Sequence, residues 1–179
     1  MNGFPAELAF AAVLVVTGVA GLVFAARRTP ASASRISPGP SGPSGPSGPR
    51  SRSVGIGIAA AAWLASVLFM TLRPGSGSGR LLNLVPMRFE GPASVVDAVL
   101  NVGVFVPLGL LLAAAAIRLP ATILSGLLLT LGIETGQYLS QVGRTADIND
   151  VLTNTTGTIL GWALGAAVVQ INRRRLGEQ

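Results

Sequence analysis

The stretch "IETGQYLSQVGRTADINDVLTNTTG", residues 133–157, places Glu134, Gln137, Arg144, Asp147, Asp150 and Asn154 within a few helical turns of one another. Upstream, Asp97 and Asn101 stand one turn apart. Carboxylates grouped with amides and a guanidinium can relay a proton, hold a phosphate or carboxylate, or bind a cation. The chain has no histidine and no cysteine. That removes Ser-His and Cys-His nucleophilic pairs, disulfides, thiolate metal sites and most zinc chemistry. The "DIND" stretch at Asp147 lacks the glycine and downstream glutamate of a calcium loop, so neither a metal site nor a cofactor is expected.

The surroundings of these polar residues are apolar. Half of the 179 residues are hydrophobic and only 11% are charged, against about a quarter in a soluble globular protein. The mean hydropathy is +0.62. So little charge cannot cover a water-facing surface of this size, and lipid is the expected solvent. The net charge of +6 comes entirely from arginine, mostly at the ends of apolar runs. Positioning in a membrane explains that distribution better than a nucleic-acid face does.

Five runs approach the ~20 apolar residues that span a bilayer: residues 5–26, 54–72, 98–117, 119–139 and 151–171. The expected fold is an all-α polytopic helix bundle, a four-helix core over residues 54–172 with an added N-terminal transmembrane helix over residues 1–26. Residues 27–53 form a cytoplasmic linker, and residues 173–179 an arginine-rich tail. Within the linker "GPSGPSGPSGPR" repeats Gly every third residue. Four triplets are too few for a collagen helix and fit a flexible, extended connection. "GIGIAA" at Gly55 has the spacing of a dinucleotide fingerprint. It follows no strand and precedes no acidic partner, so it reads as close packing of small residues.

The loops on one side carry nine arginines against Glu178, and those on the other carry Arg73, Arg80, Arg88 and Arg144 against five acids. The positive-inside rule then predicts an outside N-terminus and a cytoplasmic C-terminus in a plasma membrane. The first run is expected to be a permanent anchor, because "MNGFPAE" has no positive charge and the arginine pair follows the apolar stretch.

Helical spacing orients the polar groups. Gly126, Thr130, Glu134, Gln137 and Gln141 share one face of the fourth run, and Asp147, Asp150, Asn154, Gly157, Gly161 and Gly165 share one face of the fifth. Both faces hold small residues toward the cytoplasmic end and polar residues toward the outside. In the third run Pro107 and Gly109 follow Asp97 and Asn101. Pro107 is expected to kink the helix and free a carbonyl, and the glycines to let helices pack closely. Helix capping accounts for Asp147 to Asp150. It leaves Glu134 and Gln137 unexplained, at a helix C-terminus where the macrodipole disfavours an anion.

Three pieces, "NLVPM" at Asn83, "DAVLNVGVFVPLGLLL" at Asp97 and "IETGQYLSQVGRTADINDVLTNTTGTILG" at Ile133, together resemble the VanZ-like family. That family is named for a membrane protein associated with teicoplanin resistance. Its pattern of Asn-Leu-x-Pro-Phe, Asn…Phe-x-Pro-x-Gly, Glu-x-x-Gln and Arg-x-x-Asp-x-x-Asp-x-x-x-Asn-x-x-Gly falls here on Asn83, Pro86, Asn101, Pro107, Gly109, Glu134, Gln137, Arg144, Asp147, Asp150, Asn154 and Gly157. Met87 stands where the family often has Phe. The resemblance implies a bacterial membrane protein with a role at the cell envelope. It leaves open whether the outward cluster binds or modifies a lipid-linked or peptidoglycan-related molecule. The alternatives are a non-enzymatic interaction module and a small proton- or cation-coupled transporter. The bilayer is the one certain partner, and no nucleic-acid partner is expected.

Overall fold

The computed structural model describes residues 4–28, 49–73, 82–86, 91–140 and 145–177. Nearly all of them fall in five helices: α1 (Phe4–Ala26), α2 (Pro49–Thr71), α3 (Pro92–Ala114), α4 (Leu119–Ser140) and α5 (Ile148–Gly177). Two short segments, β1 (Leu82–Asn83) and β2 (Ala146–Asp147), pair in parallel, Leu82 with Ala146 and Asn83 with Asp147. Most of the linker, residues 29–48, lies outside the described residues.

The protein is an all-α, multi-pass membrane bundle. Helices α1 to α4 are long and apolar enough to cross a bilayer. The fifth span expected from sequence does not reach that standard of hydropathy, although α5 has 30 residues, about 45 Å of helix. Its first turns carry Asn149, Asp150, Asn154 and several threonines. It packs against α1, α3 and α4, so polar side chains there meet protein instead of hydrocarbon.

Three helix boundaries differ from the sequence expectation. Helix α2 opens at Pro49 instead of residue 54, so Arg50 and Arg52 are helical. Helix α3 starts earlier and ends earlier than residues 98–117. The arginine-rich tail is the last turn of α5, with Arg174 and Arg175 at its C-terminus. Hydropathy marks the lipid-contacting part of a helix, whereas arginine propagates helices well and suits their C-terminal ends.

The bundle carries large apolar side chains outside as well as within. Val16, Phe69, Val99, Leu128 and Leu139 are largely exposed on its outer surface, while Thr122, Thr130 and Thr158 are fully buried. In lipid, helix association depends on close packing and interhelical hydrogen bonds, not on hiding apolar surface. The α3–α5 contact is built that way. A Cβ on Gly161 would fall on the Val106 carbonyl oxygen, one on Gly157 on that of Val102, and one on Gly109 on that of Thr158. A Cβ on Gly165 would come within 2.7 Å of the Ala113 methyl. At Gly126 of α4 the neighbour is the Thr158 side chain. Helix α2 joins through Trp63, which packs edge-on against Phe105, ring centroids 5.3 Å apart, and donates to the Val104 carbonyl at 2.8 Å. Helix α3 continues through Pro107. Pro107 has no N–H to offer the Gly103 carbonyl, and the Trp63 bond falls on the next carbonyl, that of Val104.

Candidate functional site

The termini of α3 and α5 at one end of the bundle, with the last turns of α2 and α4, surround a cavity of about 470 Å³. Seven residues singled out in the sequence line it: Asp97, Asn101, Glu134, Gln137, Asp147, Asp150 and Asn154. Asn83 reaches the cluster from β1. Arg144, the expected cation of the group, and Gln141 lie outside the described residues.

Asp147 is the hub. Its backbone N–H donates to Glu134 Oε2 at 2.8 Å, its Oδ1 accepts the Asn149 N–H at 2.8 Å, and its Oδ2 accepts Asn83 Nδ2 at 3.0 Å. The Asn149 bond is the N-cap of α5. Asn83 is held in turn, because its Oδ1 accepts the Val85 N–H at 3.2 Å and the β1–β2 pair fixes its backbone. The two short strands therefore pin the loop before α3 to the start of α5.

Glu134 and Gln137, left without a structural purpose by the sequence, have one. Glu134 is buried, and its carboxylate faces the chain entering α5, whose N-terminal dipole favours an anion. The α5 terminus offsets the unfavourable C-terminal end of its own helix. Gln137 Nε2 donates to the Thr71 carbonyl at 3.0 Å, satisfying an acceptor in the last turn of α2. Asn101 Nδ2 donates to Asp150 Oδ1 at 2.7 Å and ties α3 to α5. Asn154 Nδ2 donates to Thr130 Oγ1 at 2.9 Å and ties α5 to α4.

Two groups of the cavity are not used in this way. Asp97 lines it as a carboxylate with no hydrogen-bond or ion-pair partner among the described residues. Asn154 is buried, and its Oδ1 accepts no hydrogen bond. A buried acceptor left unmatched carries a desolvation cost of about 1–3 kcal/mol. Among the described residues no three acidic side chains are grouped so as to hold a metal ion.

Sequence reasoning missed two contributors. Phe10 of α1 lines the cavity although α1 stands apart from the core in the sequence, and an apolar residue in an apolar run carries no signal of this. A second depression of about 250 Å³ was also missed. It is formed by Leu82, Leu84, Leu131, Tyr138 and Val151, and it shares Glu134 and Asp147 with the polar cavity. Only the pairing of β1 with β2 brings Leu82 and Leu84 to α4.

A family model described as VanZ/LLP1 matches residues 56–169. The match takes in α3, α4 and every cavity residue named above except Phe10. No curated protein and no solved structure matches the chain.

Proposed function

The chain belongs to the VanZ/LLP1 family, and on that premise we propose that its polar cavity is an outward-facing site for an amphiphilic cell-envelope component, a lipid-linked or peptidoglycan-related molecule. One observation carries this. The polar cavity and the apolar groove share the wall made by Glu134 and Asp147, so a polar head and a hydrocarbon tail could lie on its two sides. The head would meet Asp97, which has no hydrogen-bond or ion-pair partner among the described residues. The tail would lie along Leu82, Leu84, Leu131 and Tyr138. Glu134, Asp147 and Asp150 would form the wall and offer their carboxylates to the head. Arg144, three residues before Asp147, would supply a cation to a phosphate or carboxylate.

The distribution of charge supports this orientation. Every acidic side chain among the described residues lies in the half of the bundle that holds the cavity, and eight arginines lie at the opposite end. The positive-inside rule puts the arginine end in the cytoplasm and the cavity at the outer leaflet. Cysteines introduced singly at Gly45 and Gly143 should therefore differ. An impermeant thiol reagent should reach position 143 in intact cells and position 45 only after permeabilisation. Equal labelling at both would invert or dissolve this topology.

The functional test is expression in a teicoplanin-sensitive bacterial host. The wild type should lower teicoplanin susceptibility with little change for vancomycin. Glu134→Gln and Asp150→Asn each retain a side-chain oxygen to accept the Asp147 N–H and the Asn101 amide, so both should accumulate normally. Asp97→Asn touches no bond of the scaffold. Loss of protection in these three variants supports a site that needs the carboxylates. Undiminished protection in all three makes the cluster purely structural, and a wild type without effect on any envelope-directed agent removes the envelope role.

A further inference from the structure

The opposite end of the bundle holds a second polar cavity, of about 260 Å³. Three separate elements bring arginines to it: Arg28 at the end of α1, Arg118 in the α3–α4 connection and Arg173 in α5. Gln170 and Trp162 add to its lining, and Ala113, Ala166 and Val169 supply an apolar wall. Arg28 is partly immobilised, because its Nη1 donates to the Ala113 carbonyl at 3.3 Å. A guanidinium has five N–H donors, and this bond uses one of them. Immediately beside it Arg52 Nη2 donates to the Ala114 carbonyl at 2.8 Å. Two like charges are thus held on adjacent carbonyls. Glu7, Asp97, Glu134, Asp147 and Asp150, the acidic residues among those described, all belong to the other end.

Converging arginines beside an apolar wall, at the ends of membrane helices, match an anionic headgroup whose acyl chains remain in the bilayer. We propose that this cavity is a binding site for the phosphodiester headgroup of an anionic lipid. Arg118 and Arg173 would clasp the phosphate from two sides, and Arg28 would hold it from above the Ala113 carbonyl. Planar guanidinium groups suit bidentate contact with phosphate oxygens. Val169 is a buried part of the α1–α3–α5 cluster with Ala25 and Ala114, so an occupant would tie α1 to the rest of the bundle. Two of the three arginines, Arg28 and Arg173, fall outside the matched region 56–169.

The test is lipid retention. The full chain, in mild detergent or in bilayer discs with equal phosphatidylglycerol and phosphatidylcholine, is analysed by native mass spectrometry. The wild type should retain phosphatidylglycerol selectively. The double variant Arg118→Gln with Arg173→Gln should retain it roughly tenfold less. Neither side chain has a hydrogen bond to the bundle among those described, so thermal stability in lipid-free detergent should be unchanged. Arg174→Gln with Arg175→Gln removes the same charge from the exposed last turn of α5 and should keep the preference. An equal loss in both double variants would overturn the cavity in favour of diffuse attraction, and so would a wild type without preference. Inorganic phosphate that binds the lipid-free protein as tightly as phosphatidylglycerol does would overturn the lipid as its occupant.

Discussion

The two ends of the bundle solve the same problem in opposite ways. At the arginine end the last carbonyls of α3 are all used. Leu111 accepts the Ala115 N–H, and Leu112 and Ala113 accept those of Ile117 and Ala116 in a Schellman-type turn. Arg28 and Arg52 add bonds to Ala113 and Ala114, and Trp162 Nε1 donates to the Ile117 carbonyl at 2.8 Å. Cations there complement the helix dipole. At the acidic end the helix termini are joined through side chains that enclose a cavity, and among the described residues Asp97 and the side-chain Oδ1 of Asn154 are left without a partner. A helix end closed by its own backbone and by arginines is stable. The other end is held by carboxylates and amides that surround open space.

Both ends depend on the α3–α5 seam, and breaking it should have the largest effect. Gly161→Leu sets a side chain on the Val106 carbonyl and should cost about 3 kcal/mol or more, enough to lower the Tm in detergent markedly. Ala167→Leu on the exposed side of α5 should change the Tm little. Similar melting of the two variants would mean the helices are not in close contact there.

The contrast between the ends sharpens with Arg52→Ala. This variant removes a charged bond to the end of α3 and should cost about 1–2 kcal/mol in thermal or denaturant unfolding. Glu134→Gln keeps an oxygen for the Asp147 N–H and should cost less than about 1 kcal/mol. If Glu134→Gln were the more destabilising of the two, the acidic end would be the structural one and the contrast would be reversed.

Effects of a similar, modest size come from two residues with positive φ at opposite ends of α3. Gly91, with φ 93° and ψ −179°, precedes the helix in a conformation that only glycine adopts readily. Ala116, with φ 67°, sits where a Schellman turn prefers glycine. Gly91→Ala should lose about 1–2 kcal/mol, and Ala116→Gly should gain about 1 kcal/mol. The Tm values should move in opposite directions.

Much of this protein is legible in the chain. Apolar run lengths place its helices, because a bilayer sets one length scale for all of them. The 3.6-residue period puts Glu134, Gln137, Asp150 and Asn154 on facing sides of their helices. The glycines at 157, 161 and 165 repeat at a spacing that side-chain-free contact requires. Where helices begin was less visible, since Pro49 to Ser53 and Arg173 to Arg175 are helical but polar.

What only the tertiary structure decided is which polar groups are occupied. Glu134 looked exceptional because its own helix dipole disfavours it, and the compensating N-terminus belongs to α5, visible only once α4 and α5 are packed. Gln137 meets Thr71, sixty-six positions away. Asp97, which spacing ranked with its neighbours, emerges as the carboxylate without a partner among the described residues. The arginine cavity was invisible for the same reason: Arg28, Arg118 and Arg173 are distant in the chain and share a wall only after folding. Sequence period reports which direction a side chain faces along its own helix. Hydrogen-bond satisfaction is a property of pairs, and pairs between elements exist only in the fold.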